Sequence, residues 1–207
     1  MNETYVYLFD DMGSLNDCFI TDNLGRLPKL RQEQCVCYRQ DADKINCILA
    51  YLLLEQGLRE QYGITAPVSF AYNKHSKPYL QEHPNIFFSI SHCKKGVICG
   101  LSEVEIGIDI QDVRSLDLDV ARRVCSKNEL RELERSDDPA RLFCRMWTKK
   151  ESYIKMRGIS ISNDLKQDKP DTDFIHWETI DYCIALFAER KLYVSRRRGN
   201  SNEQQSS

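Results

Sequence analysis

The sequence predicts an α+β fold in two halves, each combining a long helix with short strands, and three observations predict it. The run DADKINCILAYLLLEQGLREQ (41–61) spaces its apolar residues at the helical period, and strand-like PNIFFSISH (84–92) and GVICGL (96–101) follow it. EIGIDIQ (105–111) opens a second series with apolar and non-apolar residues in strict alternation. RLFCRMWTKKESYIKMR (141–157) returns to the helical period before WETI (177–180) and YCIALFA (182–188), which read as strands.

In chain order, YVYLF (5–9) reads as a first strand, and the 41–61 helix carries an acid near its start. The polar turn Cys93-Lys94-Lys95-Gly96 joins the next two strands. These elements form an N-terminal half, 1–103. A C-terminal half, 104–195, begins with EIGIDI and continues through LDLDVARRVC as a helix. Ser126 and Glu129 in SKNELRELERS have the spacing of a capping box. Asp138 before Pro139 starts the helix that runs to 157, and Gly158 stops it. The segment RRRGNSNEQQSS (196–207) has no core-forming residues, so a disordered tail is expected. No strong internal repeat is visible.

A chain of 207 residues with 42% hydrophobic content buries a real core as one large or two small domains. Its 29 basic and 31 acidic residues leave a net charge of −2, which argues against nucleic acid as a partner and makes any anion site local. No apolar run is long enough to span a bilayer, and MNETYVYLFDDMG lacks a charged region followed by an apolar one, so no membrane association and a cytoplasmic location are expected. The nine cysteines lie mostly in apolar stretches without repeated CxxC pairs, as expected of buried, reduced thiols.

The alternation in 105–111 sends Ile106, Ile108 and Ile110 to one strand face and Gly107, Asp109 and Gln111 to the other. Asp109 is then either an acid on an exposed face or part of a site. On the 139–157 helix, Phe143, Trp147 and Ile154, with Leu142, Met146 and Tyr153, form an expected core face, and Cys144, Thr148, Glu151 and Lys155 form the adjoining stripe. Glu151 and Lys155 read either as an i,i+4 surface pair or as a polar site. Lys150 falls inside the apolar stripe, where an ammonium needs a route to water or an anion. If the Asp109 strand packs beside this helix, Asp109, Glu151, Lys150 and Lys155 converge. Carboxylates with lysines suit Mg²⁺ bridging a pyrophosphate.

GIDI (107–110) and WTKKESYIK (147–155), with 42 residues from Asp109 to Glu151, resemble the paired signature of 4′-phosphopantetheinyl transferases of the surfactin-synthetase-activating (Sfp) type. NKHSKPYL (73–80) and FSISHC (88–93) resemble that family's GKP and ISHS segments, in the family's order. The resemblance spans roughly residues 35–160. It implies two similar halves related by a pseudo-twofold, each a small antiparallel sheet packed with a long helix, and a site formed within a monomer. It also implies transfer of 4′-phosphopantetheine from coenzyme A to a serine of an apo acyl or peptidyl carrier protein, releasing 3′,5′-ADP.

By the same resemblance, Asp109 and Glu151 hold Mg²⁺, with Gln111 beside them, and Glu151 takes the serine proton. Lys155 and His92 meet pyrophosphate oxygens, and Lys150 orders the carboxylates. Ser91 adds a hydroxyl, and Lys77 with Pro78 reaches the adenine or 3′-phosphate region. Lys44, with Arg39 nearby, lies where such enzymes use a basic residue for the 3′-phosphate, which assigns 1–103 to the adenine side and 104–195 to the metal and catalytic motifs. The bland readings are a core histidine for His92, which shares strand parity with Phe88 and Ile90, and solvated surface for Lys77 and Lys44.

Three departures stand out: Gln111 where many members carry an acid, Ser76 in place of glycine, and a short stretch between Gly158 and His176. Carrier proteins of this kind are acidic, so Arg114, Arg122, Arg123 and Lys127 read either as a basic docking patch or as a solvated helix of mixed charge. Two rival readings are a holo-acyl-carrier-protein synthase of fatty acid synthesis, whose members are about half this length and trimeric, and a non-catalytic coenzyme A-binding relative.

Overall fold

A computed structural model describes residues 3–75, 77–159, 166, 174–188 and 193–199. Ser76, most of the stretch between Gly158 and His176, and residues 200–207 of the expected tail lie outside the described residues. In chain order the elements are β1 (Glu3–Phe9), α1 (Phe19–Asn23), α2 (Lys29–Val36), α3 (Asp41–Tyr62), β2 (Phe70–Tyr72), β3 (Pro78–Leu80), β4 (Phe87–His92) and β5 (Val97–Ser102). They continue as β6 (Ile106–Asp112), α4 (Leu118–Val124), α5 (Lys127–Arg135), α6 (Pro139–Arg157), β7 (Phe174–Glu178), β8 (Tyr182–Ala188) and β9 (Tyr193–Arg198). The class is α+β, as the periodicities predict. No helix among the described residues is long and apolar enough to cross a membrane.

One sheet has the order β4-β5-β1-β9, another the order β6-β8-β7, and β2 and β3 form a hairpin. The second sheet and the hairpin are antiparallel, but β9 joins β1 in parallel, from Glu3↔Tyr193 to Leu8↔Arg198. This corrects two expectations. The first sheet is mixed, and Arg196–Arg198, assigned to a disordered tail, belong to a strand that ends with Gly199 N–H donating to Leu8 O at 2.7 Å. Main-chain pairing with β1 orders a segment with no core-forming side chains, and the Arg196 guanidinium lies 4.9 Å from the Trp177 ring centroid.

Helix α3 buries Ile48, Leu49, Leu53 and Leu54 against Tyr7, Phe88, Cys99 and Leu101 on one face of the first sheet. Val6 and Ile98 on its other face meet Ile106, Ile108, Ile110, Ile184 and Leu186 of the second sheet. The isoleucine face of β6 is therefore core between two sheets, and the face with Gly107, Asp109 and Gln111 turns toward α6.

Local chemistry sets the ends of the C-terminal helices. Both bonds of the Ser126–Glu129 capping box form, and Asp138 caps α6 by accepting from Arg141 N–H, with Pro139 at its first position. Gly158 ends α6 at φ 59°, in the left-handed region where glycine carries no Cβ penalty.

α6 presents to β6 the stripe of Cys144 and Thr148, with Ser152: Thr148 and Ser152 are fully buried and Cys144 nearly so. Its apolar face packs into a separate core, where Met146 and Ile154 are buried and Leu142, Phe143 and Trp147 half-buried against them. Small side chains allow close approach, and the hydroxyls satisfy themselves on their own helix, Thr148 Oγ1 donating to Cys144 O at 3.1 Å and Ser152 Oγ to Lys149 O at 2.9 Å. Gly107 completes the contact: a Cβ there would lie 1.8 Å from Ser152 O and 2.4 Å from Met156 N, both helix backbone. Gly107→Ala should therefore destabilise the protein by about 3 kcal/mol or prevent folding, by denaturant unfolding. Gly25→Ala, where a Cβ meets nothing within 4 Å, should shift stability far less.

Candidate functional site

β4 and β6 are edge strands of different sheets, and side chains join them where a main-chain ladder would otherwise run. Ile108 N–H donates to Ser89 Oγ at 3.0 Å, and Ser91 Oγ–H donates to Asp109 Oδ1 at 2.6 Å. At the end of the seam, Asp112 accepts from the amides of Lys94 and Lys95, each at 3.2 Å. Polar side chains thus satisfy strand edges that would otherwise be left open.

Asp109, only 5% exposed, is held from the helix side as well. Lys155 Nζ donates to Asp109 Oδ1 at 2.6 Å and to Ser91 Oγ at 2.8 Å, so three elements meet at one carboxylate. Of Glu151 and Lys155, the lysine turns its ammonium to Asp109. Glu151, one turn earlier on α6, is half-buried, and its Oε1 is inaccessible with no hydrogen-bond partner. Burial raises its pKa above the usual carboxylate value, the Asp109 charge adds to that rise, and Lys155 offsets part of it. An acceptor left without a donor beside a second carboxylate is suited to a cation.

These groups open onto a cleft of about 630 Å³. His92, Ser91, Asp109, Gln111, Trp147, Glu151 and Lys155 line it, together with Arg31, Tyr38, Asn46, Phe70, Tyr72 and Pro78 from the N-terminal half. Its size is that of a small-molecule site. Among the described residues, no three His, Cys, Asp or Glu side chains form a metal-binding group. Asp109, Glu151 and the Gln111 amide are among the oxygen donors that this lining could offer a hard divalent ion. A separate groove of about 390 Å³ is lined by Arg145 and Glu178, which pair with each other, and contains neither Asp109 nor Glu151.

The other expected residues divide. His92 is exposed at the end of β4 and lines the cleft, so it is not a core histidine. Lys150 is buried as expected, but its ammonium pairs with Glu129 Oε2 of α5 at 2.8 Å, and it does not line the cleft with Asp109 and Glu151. Glu129 is set by the capping box, and this anion lies on a neighbouring helix that Lys150's own helical stripe does not reveal. Lys77 donates to Met156 O at 2.9 Å and pairs with Glu105, so its charge caps the C-terminus of α6. It lines a side pocket of about 250 Å³ that shares Pro78, Ile90 and Lys155 with the cleft. Lys44 pairs with Asp41 at 2.8 Å, and neither it nor exposed Arg39 lines the cleft. Of the residues of the candidate basic patch, Arg114 pairs with Asp112 and Arg122 with Asp119, while Arg123 and Lys127 are exposed.

Arg31 and Asn46 are among the cleft residues that escaped the sequence reading. The Arg31 guanidinium lies 5.1 Å from the Phe70 ring centroid, and its Nε is buried without a partner. Asn46, 9% exposed, has a buried Oδ1 without a partner. An amide in the apolar run of 41–61 was a signal for Asn46. Arg31 stands on α2, whose 29–36 stretch has no clear apolar period.

Residues 105–202 match the family model of the 4′-phosphopantetheinyl transferase superfamily. A 4′-phosphopantetheinyl transferase of Bacillus subtilis is 29% identical over 135 residues, 64% of this chain and 60% of the relative. The 4′-phosphopantetheinyl transferase Sfp of Bacillus subtilis strain 168 is 30% identical over the same shares of both chains. The L-aminoadipate-semialdehyde dehydrogenase-phosphopantetheinyl transferase of Saccharomyces cerevisiae is 26% identical over 186 residues, 83% of this chain and 68% of the relative. The chain spans about 60% of the length of the two Bacillus relatives it matches. Family model and relatives point the same way: residues 105–202 are similar to the 4′-phosphopantetheinyl transferase superfamily, and the chain is similar to its Sfp-type members.

Proposed function

We propose that this chain transfers 4′-phosphopantetheine from coenzyme A to a serine of an apo acyl or peptidyl carrier protein and releases 3′,5′-ADP. One observation carries the reading: Glu151, half-buried with Oε1 unpartnered, shares with Asp109 a cleft lined by both halves of the chain. The serine Oγ forms a bond to the phosphorus that bears pantetheine, the pyrophosphate P–O bond breaks, and 3′,5′-ADP departs with that oxygen. The serine proton goes to the Glu151 carboxylate.

Lys155 directs positive charge, and His92 a hydrogen-bond donor, at the pyrophosphate as charge grows on the leaving oxygen, and Ser91 holds Asp109. Asp109 and Glu151 would hold Mg²⁺, with the Gln111 carbonyl oxygen or a water it holds as a further ligand. Bound there, the ion supplies charge neutralisation at the pyrophosphate. Arg31 and Asn46, each with a buried unpartnered atom, are better supported than Lys44, Arg39 or Lys77 for the adenine and 3′-phosphate end.

The same reading includes a monomer in the cytoplasm, with Arg123 and Lys127 near the carrier. All nine cysteines are unpaired. It also includes a pseudo-twofold between halves 1–103 and 104–195, supported by α3 against the first sheet and α6 against the second.

Intact-mass analysis of apo-carrier proteins incubated with coenzyme A, Mg²⁺ and this protein tests the reading, and an added phosphopantetheine is the expected result. Tight coenzyme A binding without modification of any carrier would favour a binding-only relative. Asp109→Ala and Glu151→Ala should each lower transfer by about 10²-fold or more. Gln111→Glu should preserve transfer or raise it at limiting Mg²⁺, measured as initial rate against metal concentration.

The raised pKa of Glu151 sets a stability signature. The folded protein keeps this proton to higher pH than the unfolded chain, so stability falls as pH rises from about 4.3 through the native value. With chelator present, Glu151→Gln should unfold at a higher temperature than the parent at about pH 8, and the difference should close near pH 4.

A further inference from the structure

Asp112 ends β6 on the same face as Ile106, Ile108 and Ile110, so alternation turns it away from Asp109 and Gln111 and from the cleft. It is 7% exposed, and a carboxylate there is costly unless its oxygens are satisfied. Lys94 N–H donates to Oδ2 and Lys95 N–H to Oδ1, each at 3.2 Å, and Arg114 donates to Oδ2 at 2.6 Å. Those two amides belong to the turn that starts directly after His92 and is closed by Cys93 N–H donating to Gly96 O at 2.9 Å.

The same corner is fastened to the β7–β8 turn, because Lys95 Nζ lies 3.1 Å from Asp181 Oδ1 and Val113 N–H donates to Asp181 O at 2.8 Å. β4 pairs with β5 and β6 with β8, so the position of His92 relative to Gln111 depends on side-chain bonds across the seam. Ser89 and Ser91 supply them along the strands, and Asp112 supplies them at the His92 end.

We propose that Asp112 is a positioning residue: its carboxylate pins the 93–96 turn to β6 and so holds His92 on the cleft wall beside Gln111. The proposal rests on the phosphopantetheinyl transfer reading, in which His92 meets the pyrophosphate of coenzyme A. A residue that only stabilises the fold would leave coenzyme A affinity independent of His92, whereas a positioning residue acts through it.

A double-mutant cycle on coenzyme A affinity, measured by calorimetry, separates the two. Asp112→Asn keeps one carbonyl oxygen for one of the two amides, and His92→Ala removes the ligand contact. Each should weaken binding roughly fivefold, and the pair should be little weaker than His92→Ala alone. Asp112→Asn combined with Arg31→Ala should instead multiply the two single losses. Multiplying losses in the His92 pair, or full affinity in Asp112→Asn, would overturn the proposal. The unaltered protein provides a second arm if the variant does not fold: coenzyme A should slow amide exchange at Lys94 and Lys95 by about tenfold, and unchanged exchange would also overturn it. An unaltered protein that does not bind coenzyme A would refute the transfer reading and this proposal together, whereas binding with a failed cycle refutes the proposal alone.

Discussion

The site depends on one buried carboxylate. Asp109 has been taken out of water between two sheets and a helix, a position with a desolvation penalty of several kcal/mol unless charge and hydrogen bonds offset it. Ser91 from β4 and Lys155 from α6 provide both, at 2.6 Å each. The contact therefore ties together an edge strand of each sheet and the helix that carries Glu151. Because the two edges meet through side chains, the seam opens into a cleft beside the acid.

Close helix-on-strand packing determines where Glu151 sits. Gly107 leaves no room for a Cβ under the α6 backbone, and Thr148 and Ser152 present hydroxyls already bonded to their own helix. A larger residue at any of these points would lift α6 and carry Glu151 and Lys155 away from Asp109. Successive α6 side chains point about 100° apart, so adjacent residues serve different ends. Lys150 anchors α5 through Glu129 while Glu151 faces the cleft.

The N-terminal half contributes a different kind of wall. Arg31 and Asn46 each bury a polar atom without a partner, beside the rings of Phe70 and Tyr72. Unsatisfied buried groups are uncommon in folded proteins, and two on the same cleft as an unpartnered Glu151 oxygen describe a surface shaped for a polar ligand. Lys77 and Lys44, by contrast, have their charges met within the fold.

By itself the sequence determined what acts over a few residues: the 3.6- and 2-residue periods, the Ser126–Glu129 and Asp138–Pro139 helix starts, the stop at Gly158, and the face shared by Gly107, Asp109 and Gln111. It also brought Asp109, Glu151 and Lys155 into one hypothesis, since a helix and a strand each have a definite polar side. Only the tertiary structure decided which partner each charge found. Lys150 went to Glu129, Lys77 to the end of α6, and the arginines of β9 to a strand beside β1. The physical reason is range. Periods and caps are properties of neighbouring backbone, whereas an ion pair or a parallel strand joins segments far apart in the chain, and its formation depends on how whole elements pack.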